Sequence, residues 1–279
     1  QEPATREISQ SPITHGNNKA ILILSQGETI DLSPDHALPT LPEGIDLVLQ
    51  GDKLVYISDS TTEKERQYHE LVTPRGGEFK ITLPDGTFVH LNSNSKLRFP
   101  KNFAPDKREI FLSGEAYFEV QRDTTKPFIV VMNGNEVRVL GTEFNVRSYK
   151  DEKCQFTTLV TGKVLLTTYD RKCMELLPNE QGIVDPQGDI RKEQVDVALY
   201  TAWKDGNFVF RKQSLEHIME IVERWYDLKV TFEDEWCKQV SFSGNVERYD
   251  DFSKLAEMLE ATGSVKFRIK NNEIYVTKR

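Results

Sequence analysis

The sequence predicts a mainly β protein: an N-terminal all-β region followed by a small α+β subdomain. Three observations predict it. From Lys19 to Asp189, apolar residues alternate in short runs separated by Gly, Asn, Asp or Pro, and no amphipathic helix of useful length interrupts them. Beyond Asp189 the spacing turns helical in Ser214–Tyr226 (SLEHIMEIVERWY) and again in Asp251–Thr262 (DFSKLAEMLEAT). Those two segments, with the strands around them, repeat one another.

The chain has 279 residues, enough for two ordinary domains or one large β domain, and at 38% apolar it can bury a core. A net charge of −8 argues against nucleic acid or an anionic membrane as the main partner, because both need a basic face. No apolar run reaches the ~18 residues that would span a bilayer. The chain begins at Gln1 with neither Met nor a signal peptide, as expected of a trimmed or mature product.

Residues 1–18 are polar, contain two prolines and lack periodicity, which reads as a linker or disordered arm. Residues 19–190 form the all-β region. Ala20, Leu22 and Leu24 alternate, a Gln-Gly turn follows, and Ile30 and Leu32 resume: a hairpin. A Pro-rich connector (Ser33–Gly44) leads to a second strand pair, Ile45–Ile57, around Gly51-Asp52, and Thr61–His69 reads as a solvated loop. Phe79–Leu91 is another hairpin, in which Pro84 sets φ for the turn and Gly86 accepts positive φ. If Leu83 and Thr87 close that turn, Phe79, Ile81, Leu83, Val89 and Leu91 share a core face. His90 then falls on the other face and is expected at the surface. The short strands that follow, from Ile110 to Val184, suit a sandwich, a barrel or an irregular β-solenoid, and pattern alone does not choose among them.

Cys154, Cys173 and Cys237 are too few and too sparse for a disulfide framework. Turns at Thr161-Gly162 and near Asp170 would place Cys154 and Cys173 on one face, two strands apart. That is about 10 Å at ~4.8 Å per strand step, beyond the ~7 Å Cα separation a bridge allows. Free thiols are expected. No Cys/His spacing suits zinc.

Residues 191–279 form the α+β subdomain. Leu215, Ile218, Met219, Val222 and Trp225 line one face of the first helix, and Phe252, Leu255, Ala256 and Leu259 answer them in the second. Leu228, Val230 and Phe232 answer Val265, Phe267 and Ile269. Strands at Phe208–Phe210 and Val240–Val246 precede the helices, Gly263 ends the second as a C′ residue, and Ile274–Val276 is the last strand. The expectation is two βαβ units with both helices on one face of a small sheet. One unit is too small to bury its own apolar face, so the two should pack together.

No catalytic constellation emerges, and no cofactor or metal site is expected. There is no GxSxG elbow, no HExxH, no P-loop and no GxGxxG. Glu115 and Glu119 share a strand face but stand ~13 Å apart at ~3.3 Å per residue, too far for paired-carboxylate glycoside hydrolysis. Trp203, Trp225 and Trp236 all fall in the C-terminal part, with Trp236 the best candidate for exposure.

Several motifs in one order carry a resemblance. They are Thr73-Pro-Arg-Gly, Leu83-Pro-Asp-Gly-Thr87, Leu91-Asn-Ser, Gly114-Glu-Ala-Tyr-Phe-Glu-Val120, Lys126-Pro-Phe and Leu140-Gly-Thr-Glu-Phe-Asn-Val146. This set resembles the periplasmic region of FecR-family anti-sigma factors. Trp203-Lys-Asp-Gly-Asn-Phe-Val-Phe210, Ser214-Leu and Trp225-Tyr226 resemble the C-terminal module of one branch of that family. The double βαβ unit is similar to the secretin-and-TonB short N-terminal domain. The resemblance implies a single-pass inner-membrane protein. Its periplasmic part receives a signal from the N-terminal signalling domain of an outer-membrane TonB-dependent transporter. Its cytoplasmic part, absent from this chain, controls an extracytoplasmic-function sigma factor.

Such recognition needs no catalytic residue, because an exposed sheet edge can take an added strand. The candidate partner-binding residues are Val240, Phe242, Ser243, Gly244 and Val246 on one strand and Ile274 and Val276 on another. The β region is expected to act as spacer and scaffold. The alternative is an extracytoplasmic carbohydrate-binding β module, which several exposed aromatics on one strand face would favour.

Overall fold

The computed structural model describes residues 13–33, 47–56, 67–270 and 272–279. The Pro-rich connector beyond Ser33 and the charged stretch from Thr61 to Arg66 lie outside them. The chain forms two compact units: Asn17–Asp205, and Gly206–Arg279 together with the segment that ends at Gly16.

The β unit consists of two sheets. The first runs β3 (Thr29–Asp31), β2 (Ile21–Ile23), β6 (Tyr68–Thr73), β9 (Ser95–Pro100), β10 (Arg108–Glu119), β11 (Phe128–Met132), β12 (Asn135–Val139), β15 (Val164–Thr167) and β16 (Cys173–Leu176). The second runs β4 (Leu47–Gln50), β5 (Lys53–Tyr56), β7 (Gly77–Thr82), β8 (Phe88–Leu91), β10 again, β13 (Glu143–Ser148), β14 (Gln155–Thr161), β17 (Glu180–Val184) and β18 (Ile190–Gln194). In sequence the chain crosses from one sheet to the other after every one or two strands. The architecture is therefore a sandwich in section and solenoid-like in its winding. Pairing is antiparallel except for β10–β11, β5–β7 and a two-residue strand β1 (Asn17–Asn18) beside β7.

The strand β10 belongs to both sheets. Phe111–Ser113 pair with β9, and Gly114–Glu119 pair with β13. Gly114 makes the change of sheet at φ 106°, and a Cβ there would lie 2.3 Å from Ser95 Oγ. That hydroxyl accepts the next amide, Glu115 N, at 2.9 Å. Only glycine fits both the dihedral and the space.

The inner faces of the two sheets meet in one apolar core containing Leu22, Leu71, Leu97, Phe99, Ile110, Phe128 and Val137 from the first and Leu54, Phe79, Ile81, Val89, Phe118, Phe144 and Val146 from the second. The hairpin reading of Phe79–Leu91 holds in detail. Leu83 N donates to Thr87 O, and Phe79 faces Leu91 across the ladder. Asp85 in that turn also accepts from the buried Arg108 Nη1 at 2.8 Å, and Arg108 donates further to the carbonyls of Gln121 and Lys126.

Five expectations change. The Thr161-Gly162 turn does not close a hairpin: β14 pairs with β13 and β17 while β15 pairs with β12 and β16, so this turn is a corner between sheets. The thiols of Cys154, Cys173 and Cys237 are free, as the sequence predicts. His69 lies inside β6, buried, accepting Ser25 N at Nδ1. The segment read as an arm up to residue 18 contributes β1. The β unit extends to Asp205 rather than ending near residue 190.

His90 is the fifth correction. It is 2% exposed, because the 3-10 turn Ala202–Asp205, which follows α1 (Ala198–Thr201), lies over this part of the outer face of the second sheet. Trp203 from that turn sits on the His90 ring at 4.8 Å and donates Nε1–H to Asn145 Oδ1 at 3.2 Å. Asn145 and Asn92 both donate to Glu115, and Tyr117 donates to Glu143 while the Lys204 ammonium lies 4.9 Å above its ring. Strand alternation alone marked this face as solvated. A segment more than a hundred residues downstream buries it.

The C-terminal unit keeps the repeat but not as a single sheet. β19 (Asn207–Ser214) leads into α2 (Leu215–Tyr226) and β20 (Lys229–Phe232); β21 (Ser241–Glu247) leads into α3 (Phe252–Ala261), β22 (Val265–Lys270) and β23 (Glu273–Lys278). β19 and β21 form a two-stranded antiparallel sheet, and β20, β23 and β22 form a second sheet in that order. Ser214 caps α2 by accepting His217 N, and Gly263 at φ 79° follows the end of α3. Leu215, Ile218, Met219, Val222 and Trp225 are all buried, in one core with Phe208, Phe242, Phe252, Leu255, Ile274 and Val276.

Two outcomes follow from the covered outer face. Trp203→Ala should lower the unfolding free energy of the β unit by about 3–5 kcal/mol, the usual cost of truncating a buried aromatic, measured by urea titration. Burial, followed by the Glu143 charge, raises the Tyr117 pKa well above its ordinary value. The folded chain therefore keeps this proton where the unfolded chain loses it, at about pH 10 and above. Stability from Tyr117 is full below that pH and falls as pH rises; Tyr117→Phe should flatten the decline in urea midpoints between pH 9 and 11.

Candidate functional site

The candidate residues divide between two sheets with different exposure. Ile274 and Val276 lie in β23, which is paired with β20 on one side and β22 on the other, and both side chains are 0% exposed. This strand has no free edge, so the two residues are core and not a docking edge. Sequence order placed β23 last, and a last strand reads as an edge; the parallel pairing to β20 makes it the centre.

The strand β21 is different. Among the described residues it pairs only with β19, so its second edge is open. Phe242 and Val246 point into the core, whereas Ser241, Ser243, Asn245 and Glu247 are exposed. Arg248 N donates to Gly206 O at 2.8 Å, and Leu215 N donates to Val240 O at 2.8 Å. By the alternation of an antiparallel ladder, Val246 and Gly244 therefore turn their main-chain groups toward β19, and Asn245 and Glu247 turn theirs outward. Val240 is held by α2, and Gly244 has a packing reason: a Cβ there would lie 3.2 Å from Met258 Sδ on α3.

The other open edges of the C-terminal unit are guarded. β19 carries a bulge between Phe210 and Gln213, with Lys212 at φ 49°, and the bulge is held by Lys212 N donating to Ser243 Oγ at 2.8 Å. A bulge interrupts the run of outward groups that an added strand needs. β22 presents exposed Lys266, Arg268 and Lys270, and Lys229 is exposed on β20. Lysine-rich edges discourage indiscriminate pairing. The uninterrupted edge with small polar side chains is β21.

Exposed aromatics are few and scattered. Trp236 is 53% exposed in the 3-10 turn Glu235–Gln239, Tyr169 lies in the turn between β15 and β16, and Tyr249 follows β21. None of the three shares a strand face with another, so no stacking platform for a sugar ring is formed by them. Trp225 is buried, its Nε1–H bound to Arg248 O at 2.7 Å. Trp203 belongs to the β unit. Two features escaped sequence reasoning: the covered His90 face, and the open, unbulged edge lying at β21 and not at β23. Only the repeat at Phe208–Phe210 and Val240–Val246 hinted at a strand pair separate from the rest.

Substitution separates core from edge. Ile274→Ala should cost about 2–5 kcal/mol of stability, as for other buried aliphatic truncations. Asn245→Ala should change stability by less than about 0.5 kcal/mol. Thermal unfolding of the two variants checks both.

Residues 69–165 match the family profile described as FecR protein, and residues 207–276 match the one described as FecR, C-terminal. Two crystal structures of a candidate anti-sigma factor from Parabacteroides distasonis ATCC 8503 are similar to this chain, each with TM-score 0.69 and 31% identity, covering 75% and 76% of this chain and 99% of theirs. No curated protein matches. The two profiles fall on the β unit and on the C-terminal unit, and the crystal structures join both levels, sequence and fold, over nearly their whole length. The chain belongs to the FecR family of anti-sigma factors, which regulate sigma factors.

Proposed function

We propose that this chain is the periplasmic sensing portion of a membrane anti-sigma factor, and that its C-terminal unit docks the N-terminal signalling domain of an outer-membrane TonB-dependent transporter. The observation that carries the reading is the open, unbulged edge of β21 on a compact α+β unit. An added strand would take its affinity from the outward main-chain groups at Asn245 and Glu247, and its selectivity from the side chains of Ser241, Ser243, Asn245 and Glu247. Family membership supports control of a sigma factor, through a cytoplasmic part that lies outside this chain. Among the described residues no helix is long and apolar enough to cross a membrane. Neither unit needs a catalytic group for this role.

The test is a calorimetric titration of this chain with the signalling domain of the transporter encoded beside it. Micromolar or tighter binding is expected. Asn245→Pro removes one outward N–H at a position where an edge strand tolerates proline, and should weaken binding by about tenfold or more, given the net worth of a backbone hydrogen bond and the steric bar to pairing. No binding by the unaltered chain would overturn the partner assignment. Unchanged binding by Asn245→Pro would overturn the β21 edge.

A further inference from the structure

The short segment ahead of the β unit is held by the C-terminal unit. Ile13 O accepts the amide of Phe252, the first residue of α3, at 3.2 Å. The capping residue of that helix, Asp251, makes no side-chain cap bond, so the Ile13 carbonyl does part of the work a cap usually does. The Ile13 side chain packs on the apolar core of the unit. The His15 ring meets Tyr249 edge-on at 5.7 Å. Gly16 is buried so closely that a Cβ would lie 2.6 Å from the Trp225 ring and 2.8 Å from its carbonyl oxygen.

The cradle beneath this segment is closely packed. The Arg248 guanidinium covers the Trp225 ring at 3.7 Å, and Tyr249 packs on Trp225 at 5.7 Å. What it receives is a run of main chain outside any helix or strand, with one aliphatic anchor and, three residues on, a position with no side chain. A peptide can be bound in the same way, through a main-chain hydrogen bond and an anchored side chain, here with the peptide supplied by the same chain.

We infer that Trp225, Tyr249 and the first turn of α3 form a peptide-binding cradle whose resident ligand is Ile13–Gly16, and that this strap releases by local opening without unfolding the unit. Among the described residues, one main-chain hydrogen bond, the half-buried Ile13 and His15 side chains and the Gly16 contact with Trp225 are few contacts to give up, the mark of a low-stability element. Ile13 is thus tied to the C-terminal unit directly, and a change at α3 reaches it without passing through the β unit. The last step rests on the C-terminal unit being the partner-binding part; the strap itself does not.

The reporter is the Phe252 amide, followed by hydrogen exchange with NMR in the full chain. In the unaltered protein it should be protected, yet exchange with little dependence on denaturant, while Ile274 in the central strand exchanges only with global unfolding. Gly16→Val should expel the strap and speed Phe252 exchange by about tenfold, the scale of one net hydrogen bond, leaving Ile274 unchanged. If Gly16→Val also speeds Ile274, Ile13→Ser, which adds no bulk, replaces it with the same expectation. Phe252 unprotected in the unaltered chain, Phe252 exchanging in step with Ile274, or no effect of the substitution would each overturn the strap. Addition of the saturating transporter domain gives the separate answer. Loss of Phe252 protection supports coupling to the partner, and unchanged protection on a bound complex overturns that coupling. Absence of binding fails the partner assignment and leaves the exchange result standing.

Discussion

Two sheets that share one strand must agree on where that strand turns. Gly114 fixes the point. Its φ of 106° and the Ser95 hydroxyl 2.3 Å from where a Cβ would stand exclude any other residue without a local shift. The pairing of β9 on one side of the turn and β13 on the other then sets register outward through both sheets. Because the side-chain period of a strand is two, a slip at Gly114 would turn inner faces outward. The single core, with Phe118 of one sheet beside Phe128 of the other at 6.3 Å, depends on that register.

Polar chemistry in the β unit is structural. Arg108, 2% exposed, ties the Asp85 turn to two carbonyls further along the chain. Glu115 is held between Asn92 and Asn145, and Asn145 in turn accepts from Trp203. These are buried polar groups with named partners, which is what a rigid scaffold requires. Among the described residues no group of His, Cys, Asp and Glu side chains is arranged to hold a metal.

The C-terminal unit has a different logic. Its repeat produces two strand–helix–strand segments, but the first strands pair with one another and the later strands form a separate sheet with the helices' apolar faces in a common core. Splitting one expected sheet into two changes which strands have edges. β23 moves to a centre, and β21 keeps an edge. The bulge on β19 and the charges on β22 then leave β21 as the place where a strand is most readily added.

Local pattern was legible wherever it decided the structure locally. The hairpins at Leu22–Ile30 and Phe79–Leu91, the turn residues Gly51 and Gly86, the helical faces from Leu215 to Trp225 and from Phe252 to Leu259, and the end of α3 at Gly263 follow from alternation, helical spacing and positive φ. The family motifs were legible for the same reason, since they are mostly turns and strand ends. What alternation cannot encode is what lies over a strand's second face or beside its second edge. His90 is buried because Trp203 returns to cover it, the turn at Gly162 is a corner because β15 finds β12 and not β14, and Ile274 is central because β20 pairs with it in parallel. Each of these depends on contacts between residues far apart in sequence, whose free energy is set by packing and not by the composition of either segment, and only the tertiary structure decides them.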